Sequence, residues 1–287
     1  MRSLVPVLVL VGILGCNQGD TIGPDGSPRR AAIVADHTVA ALAATPSEAV
    51  EAAKERLHIA YGHTSHGSQL VYGMSGLVTW KGSLYAFNSG GTDGALDLRD
   101  MPFTGASDLG NPDRTSWAAA TRTYLAAHSD VNVIIWSWCG QVSSATEADI
   151  DTYLSLMNAL EQDYPAVTFV YMTGHLDGSG LAGNLHQRNE QIRTYCRDNR
   201  KVLFDFADIE SYDPDGAYFM DKGANDNCDY DSDANGSLDR NWAIDWQNAH
   251  PAEWYSCSAA HSQPLNGNLK AYAAWWLWAR LAGWSAQ

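Results

Sequence analysis

A serine between two histidines occupies a predicted turn near the start of the chain. Apolar residues 57–61 lead into Gly62-His63-Thr64-Ser65-His66-Gly67, and apolar residues at helical spacing follow. This order predicts a strand, a tight turn and a helix whose first N–H groups can stabilise an anion. A Ser65 hydroxyl at that junction could attack a carbonyl carbon while these N–H groups hold the oxyanion. The alternative is that Ser65 only caps the helix.

Two further features could add chemistry at the same place. His175 follows the apolar residues 167–172, so it is expected at the same edge of a parallel sheet as His63 and His66. Three imidazoles and a carboxylate could bind Zn²⁺, although the spacing is not a standard metal motif. The other interpretation is that His63 and His175 bind the substrate through hydrogen bonds. Trp138, predicted in a loop, could stack on a sugar ring or cover the core.

The elements that position these residues alternate between helix and strand. Continuous apolar runs are typical of buried parallel strands, and apolar residues on one face are typical of surface helices. The alternation predicts an α/β protein, a three-layer α/β/α sandwich with a mainly parallel central sheet. Residues 80–109 are expected to be irregular. Strands are predicted at 57–61, 131–136, 167–172 and 202–206, and helices at 45–56, 115–127, 146–162, 184–197 and 270–282.

The N-terminus predicts export. A short basic region precedes an apolar stretch of signal-peptide length, which ends in Ile13-Leu14-Gly15-Cys16. This ending resembles a bacterial lipobox, in which Cys16 would be lipidated. The alternative is an ordinary secretory signal with an incidental cysteine. We expect a signal peptide at 1–16, a flexible tether at 17–30 and a lipid anchor in the cell envelope, at the outer membrane.

Composition limits the partners of the rest of the chain. Residues 31–287 are long enough for one α/β domain, and no repeat or second linker interrupts them. The net charge of −15 argues against nucleic acid, because phosphate contacts need clusters of Lys and Arg. Membrane contact is therefore expected only through the N-terminal lipid.

Four cysteines follow Cys16, an even number that suits pairing in an exported protein. Cys228 and Cys257 flank one loop-rich segment and are the preferred disulfide. A bond between Cys139 and Cys196 is the weaker possibility, because each also looks like a small buried residue.

An acidic segment lies within a predicted insertion at about 221–257. Its oxygen-bearing side chains alternate, and Gly236 would provide a sharp turn, as in an EF-hand calcium loop. Position twelve of the loop is Trp242 instead of Glu, so the bidentate ligand is missing. The alternatives are a structural Ca²⁺ site and a solvated acidic turn. The expected ligands are Asp231, Asp233, Asn235, Ser237 and Asp239.

The order of motifs resembles the SGNH/GDSL-type hydrolases over most of residues 57–284. That family has its nucleophilic serine just after the first strand, where this chain has Gly62-His63-Thr64-Ser65-His66-Gly67 in place of Gly-Asp-Ser-Leu. The resemblance implies a flavodoxin-like strand order, a Ser65 nucleophile and an oxyanion held by the N–H groups of Ser65 and Gly110. Gln141 stands where the family has an asparagine donor.

The family's catalytic base lies in an Asp-x-x-His block before the last helix, and His261 matches its histidine. The aspartate position is Ser258, so Asp245, Glu253 or an uncharged group would orient His261. The resemblance implies a serine esterase that needs no catalytic cofactor. An acylated carbohydrate, with an acetyl ester favoured, is its expected substrate. Two rival hypotheses are a non-catalytic carbohydrate-binding protein and a metal-dependent hydrolase using His63, His66 and His175.

Overall fold

The computed structural model describes residues 31–285. Seven strands form its central sheet, and each of them pairs in parallel with its neighbours. The strands are β1 (Ile33–Ala35), β2 (His58–Gly62), β3 (Phe87–Asn88), β4 (Leu96–Asp100), β5 (Val133–Trp136), β6 (Thr168–Met172) and β7 (Val202–Phe204). A separate antiparallel ribbon contains β8 (Asp229–Tyr230) and β9 (Arg240–Asn241).

Helices cover both faces of the sheet, which confirms the three-layer α/β/α sandwich. One buried cluster joins the sheet to α1, α2 and α8, and a second joins it to α3, α4 and α5. The helices are α1 (Ser47–Arg56), α2 (Ser68–Lys81), α3 (Ser116–Ala127), α4 (Glu147–Asp163), α5 (Asn184–Asp198), α6 (Phe206–Ile209), α7 (Trp242–Ala249) and α8 (Pro264–Leu281).

The strand order places the switch point of the sheet between β2 and β5. The sheet reads β1-β7-β6-β5-β2-β4-β3, and its run β4-β2-β5-β6-β7 is the flavodoxin-like order. From β2 the chain builds β3 and β4 on one side of the sheet and then β5, β6 and β7 on the other. The carboxyl ends of β2 and β5 therefore flank the switch point, where open α/β sheets bind ligands.

The expectation of an irregular segment at 80–109 was wrong, because β3 and β4 lie within it. β4 is hard to recognise since three of its five residues, Asp97, Arg99 and Asp100, are charged. Asp97 is buried, and hydrogen bonds from Arg99 and His58 satisfy its carboxylate. The alternating leucines, Leu96 and Leu98, face the core.

The last helix also begins earlier than predicted, at Pro264. Its first turn contains Asn266, Gly267 and Asn268, residues that favour turns in a sequence, yet all three are buried here. Gly267 allows the backbones of α2 and α8 to approach each other closely. A Cβ added at Gly73 of α2 would lie 2.0 Å from the Gly267 carbonyl oxygen.

The predicted disulfide between Cys228 and Cys257 is not formed, and all four cysteines within residues 31–285 are free. The two thiols face different partners. Cys228 Sγ lies 3.7 Å from the Ser262 hydroxyl, whereas Cys257 Sγ lies 3.5 Å from the Pro264 carbonyl oxygen. Cys139 and Cys196 are unpaired as well.

The signal peptide, the tether and the lipidation site at Cys16 fall outside the described residues and stay predictions. From Ala32 onward the chain is one compact unit. In this described part, we find no helix with the length and apolar character that crossing a membrane requires.

Candidate functional site

Side chains from the carboxyl ends of three neighbouring strands meet at the switch point. His66 follows β2, Cys139 follows β5 and His175 follows β6. Asp226, from the segment before the β8–β9 ribbon, completes the group. The sheet therefore brings together polar residues that lie far apart in the sequence.

Ser65 lies at the rim of this group in the predicted strand-turn-helix. It begins a short 3₁₀ turn between β2 and α2 and is exposed. Its hydroxyl makes no hydrogen bond with any residue in 31–285, so it neither caps α2 nor contacts His261. Ser68 makes the local bond instead, donating to the Ser65 carbonyl oxygen at 2.6 Å. The nucleophilic role of Ser65 stays a prediction without a hydrogen-bonded base.

A buried carboxylate occupies the place expected for an oxyanion. Asp108 accepts hydrogen bonds from the Thr64 hydroxyl, from the Gly110 N–H at 2.8 Å and from Gln141 Nε2 at 3.1 Å. The structure thus brings Gly110 and Gln141 together, as the resemblance implied. Both donors point at Asp108, however, and are engaged before any substrate arrives.

His66 is the centre of the site. Its Nε2 lies 2.9 Å from Asp226 Oδ2, and its Nδ1 lies 3.4 Å from Cys139 Sγ. The ring is stacked between two others, with centroids 3.6 Å from His175 and 4.6 Å from His261. The thiol, imidazole and carboxylate form a continuous chain of contacts, the arrangement of a catalytic triad.

Electrostatics determine which nitrogen of His66 bears the proton. Burial lowers the pKa of His66 by more than the Asp226 hydrogen bond raises it. Burial raises the pKa of Asp226, but the His66 hydrogen bond and the nearby imidazoles give a net lowering. Asp226 is therefore an ionised acceptor, and Nε2 of the neutral imidazole must donate to it. Nδ1 is left as an acceptor facing the Cys139 thiol.

His175 presents an unpaired ring nitrogen to the same space. Its Nδ1 lies 2.7 Å from the Leu176 carbonyl oxygen, which can only accept, so Nδ1 donates to it. Nε2 is buried and, among the described residues, has no hydrogen-bond partner. A buried polar atom without a partner is costly, so this nitrogen is available to a ligand.

The other predicted site residues are placed less centrally. His261 is exposed, has a φ of 61° and packs its ring against His66. His63 is turned to β4, where its Nε2 lies 2.6 Å from Asp100 Oδ1. Trp138 is buried and its indole N–H donates to the Met172 carbonyl oxygen at 3.1 Å, which leaves no ring face open to a sugar.

A fully buried ion pair connects the segments that form the site. Lys270 of α8 donates to Glu210 at 2.7 Å and also to the Gln69 side chain. Glu210 accepts the Leu176 N–H at 2.8 Å, and Gln69 donates to the Ala260 carbonyl oxygen. The network therefore connects the start of α2 with the segments that carry His175 and His261.

The acidic loop closes through hydrogen bonds to its own backbone. Asp231 accepts the Gly236 N–H at 2.7 Å, and Asp239 accepts the Ser232 N–H at 2.9 Å. Asn235 accepts the Ser237 N–H at 2.9 Å. Asp233, like the other residues of 232–239, is exposed, and Asp231 is half-buried. The calcium site stays a prediction.

Calcium is expected to raise the melting temperature if the acidic loop binds it, since a ligand of the native state stabilises that state by mass action. Thermal unfolding with Ca²⁺ and with EGTA, on wild type and on Asp233→Ala, measures the effect. The variant should lose the calcium-dependent shift. A wild-type melting temperature indifferent to calcium would contradict the prediction.

Two members of the central group were not predicted to act in catalysis. Cys139 ends the apolar run of β5, a position that matches a functional residue at the sheet edge, but its thiol was assigned to packing or pairing. Asp226 lies in the acidic insertion, where no spacing distinguishes it from the other aspartates.

No protein-family model matches this chain, and a search of curated proteins found no matching sequence. The resemblance to SGNH/GDSL-type hydrolases therefore rests on the motifs and their order alone.

Proposed function

We propose that this protein hydrolyses acyl esters with Cys139 as the nucleophile, His66 as the base and Asp226 as the residue that orients the base. The observation behind this proposal is the chain of contacts from Cys139 Sγ to His66 Nδ1 and from His66 Nε2 to Asp226, at 3.4 and 2.9 Å. A nucleophile within hydrogen-bond reach of an oriented base is the geometric requirement for this chemistry. Ser65 lacks such a base.

In the first step the thiol proton moves to His66 Nδ1 as Sγ attacks the carbonyl carbon. The imidazole is then cationic, with Nε2–H donating to Asp226, and the carboxylate stabilises this charge. The N–H of Gly140, the residue after the nucleophile, makes no hydrogen bond within the described chain and is the donor that we assign to the oxyanion. His66 next gives its proton to the departing alcohol, leaving a thioester.

In the second step water attacks the thioester carbonyl carbon. His66 Nδ1 takes a proton from the water and returns it to the sulfur as the carboxylic acid leaves, which regenerates the starting state. Water can reach the thioester from solvent, because Ser65, Gly140 and His261 at the rim of the site are exposed. The proposed substrate class is therefore an acyl ester. A carbohydrate was the expected alcohol of this ester because Trp138 was predicted in a loop, where it could stack on a sugar ring. Trp138 is buried, so it does not support a carbohydrate.

Alkylation at pH 7 is expected to modify Cys139 first among the cysteines of residues 31–285. Burial raises the pKa of Cys228 to about 12 and that of Cys257 to about 11, and it also raises the pKa of Cys196. These three thiols stay protonated at pH 7 and react slowly, because the thiolate is the reactive form. Cys139 is half-buried beside a neutral imidazole. Limited treatment with iodoacetamide followed by peptide mass spectrometry measures the order.

The hydrolysis of p-nitrophenyl acetate is then assayed on the same alkylated samples. This assay shows whether modification of Cys139 removes activity. Activity should fall in proportion to the label on Cys139, while label on the other three cysteines should follow only at higher pH. Full activity with Cys139 completely alkylated would contradict the proposal. Loss of activity through organophosphonate labelling of Ser65 would transfer the nucleophilic role to that hydroxyl.

A further inference from the structure

The Nε2 atom of His175 has no role in the thiol chemistry. It is buried and unpartnered among the residues that the structure describes, and His175 as a whole is 9% exposed. A Cβ added at Gly140 would lie 3.8 Å from this nitrogen, so the atom faces the segment that carries Cys139. The site therefore contains a buried ring nitrogen that is available to a ligand.

His175 belongs to a group of three side chains that could bind a metal ion. One ligand atom each from His66, His175 and Asp226 lies within 4.8 Å of the other two. They come from three separate segments, after β2, after β6 and before β8. Two imidazoles and one carboxylate form the donor set of many open zinc sites, in which a fourth position remains for water or substrate.

The outer contacts of the two histidines match those of metal ligands. A metal-binding histidine usually directs its second ring nitrogen to a carbonyl, carboxylate or similar partner, which fixes the ring. His175 Nδ1 donates to the Leu176 carbonyl oxygen at 2.7 Å, and Glu210 holds the Leu176 N–H at 2.8 Å. His66 Nδ1 faces Cys139 Sγ at 3.4 Å. Both rings are thus held through their Nδ1 atoms.

Two other groups of histidine and aspartate lie close together, but each contains a single imidazole. In the group of His58, Asp97 and Asp130, the Arg99 guanidinium already contacts both carboxylates. Asp36, His37 and Asp208 are held by a hydrogen bond from His37 to Asp208 and by the Asp36 cap of the following turn. Among the described residues, neither group has a buried ring nitrogen without a hydrogen-bond partner.

We propose that His66, His175 and Asp226 bind one divalent transition-metal ion, with zinc the favoured occupant, and that this ion inhibits the thiol-dependent hydrolysis. The inhibitory part rests on the proposed function, because it requires His66 to be the base for Cys139. The binding part stands on the three ligands and the unpaired Nε2 of His175.

Proton positions explain the inhibition. Without metal, Nε2 donates its proton to Asp226 and Nδ1 faces the thiol as an acceptor. A metal bound at Nε2 occupies the lone pair there, so the ring proton is then on Nδ1. Nδ1 can only donate to Cys139, and the base for the thiol is lost. Metal binding and proton transfer from Cys139 are therefore mutually exclusive.

Titration of EDTA-treated, dialysed full-length protein with Co²⁺ and Zn²⁺ tests the proposal. Co²⁺ should produce visible absorption bands at a stoichiometry of about one per chain, because a site of three protein ligands holds one ion. Zn²⁺ should displace it. His175→Ala should weaken Zn²⁺ binding, measured by calorimetry, by at least about 100-fold, since it removes a direct ligand. His128→Ala, at the opposite edge of the sheet, should bind as wild type does.

Ester hydrolysis in the same titration separates the two proposals. Zn²⁺ should abolish wild-type activity at one equivalent, and EDTA should restore it. Absence of the cobalt bands, or wild-type affinity in His175→Ala, would overturn the metal site and leave the thiol mechanism standing. Metal binding that activates hydrolysis, or activity that persists in Cys139→Ala, would retain the site and overturn the thiol mechanism.

Discussion

Replacing Cys139 with alanine is expected to lower kcat/KM for p-nitrophenyl acetate by about 10³-fold or more, the size of effect seen when a triad nucleophile is removed. The physical reason is that, among the described residues, no other nucleophile is within hydrogen-bond distance of the His66 ring. Cys139 is half-buried at the sheet edge, and alanine keeps its backbone while removing only the sulfur. Steady-state kinetics on metal-free protein, with circular dichroism to confirm folding, measure the change.

Ser65→Ala is the matched control, because Ser65 is exposed at the same rim and adjacent to His66 in the chain. Its kcat/KM should stay within about threefold of wild type, since its hydroxyl neither donates to nor accepts from any described residue. The opposite pattern, an active Cys139→Ala and an inactive Ser65→Ala, would refute the thiol mechanism and restore the serine esterase predicted from the sequence.

Lys270→Met is expected to destabilise the fold by about 3–5 kcal/mol, the usual cost of removing one partner of a buried ion pair. Lys270 and Glu210 are both 0% exposed, and their Nζ–Oε1 distance is 2.7 Å. Methionine fills a similar volume, so the loss comes from leaving the Glu210 carboxylate without its counter-charge. Urea unfolding followed by tryptophan fluorescence measures the free energy of unfolding.

Two comparisons make this result specific. Lys270→Met combined with Glu210→Gln should recover part of the lost stability, because the second change removes the unpaired charge. Arg240→Met disrupts the exposed pair with Asp245 and should leave the unfolding midpoint unchanged within error. If Lys270→Met and Arg240→Met lowered the free energy of unfolding equally, burial of the ion pair would not be the cause of the loss.

The architecture could be predicted because its signals are local. Continuous apolar runs mark β5 and β6, and the amphipathic face of α4 follows a Thr146 cap. Burial of these faces in both layers, together with right-handed crossovers, restricts the strand order to a few possibilities. The edge strands β1 and β3 could not be predicted in this way, since they are only three and two residues long.

The site was predicted only in part, for a physical reason. The turn after β2 and His175 were identified because functional residues follow strands in this fold class. Which side chains touch depends on long-range packing. His66 faces Asp226, a partner 160 positions away, and the Asp108 carboxylate takes up the donors of Gly110 and Gln141. Periodicity contains no information on such contacts.

The glycine contact between α2 and α8 gives the site one fixed half and one exchangeable half. Because the backbones of Gly73 and Gly267 touch, the turn carrying His66 and the segment carrying His261 belong to a single frame that cannot shift by a side-chain width. His175 is tied to this frame as well, because Glu210 accepts both the Leu176 N–H and the Lys270 ammonium of α8. Asp226 lies in the segment before the β8–β9 ribbon, outside the contact of the two helices. Exchange of that segment would therefore replace the orienting carboxylate while the imidazole at the centre stays in place.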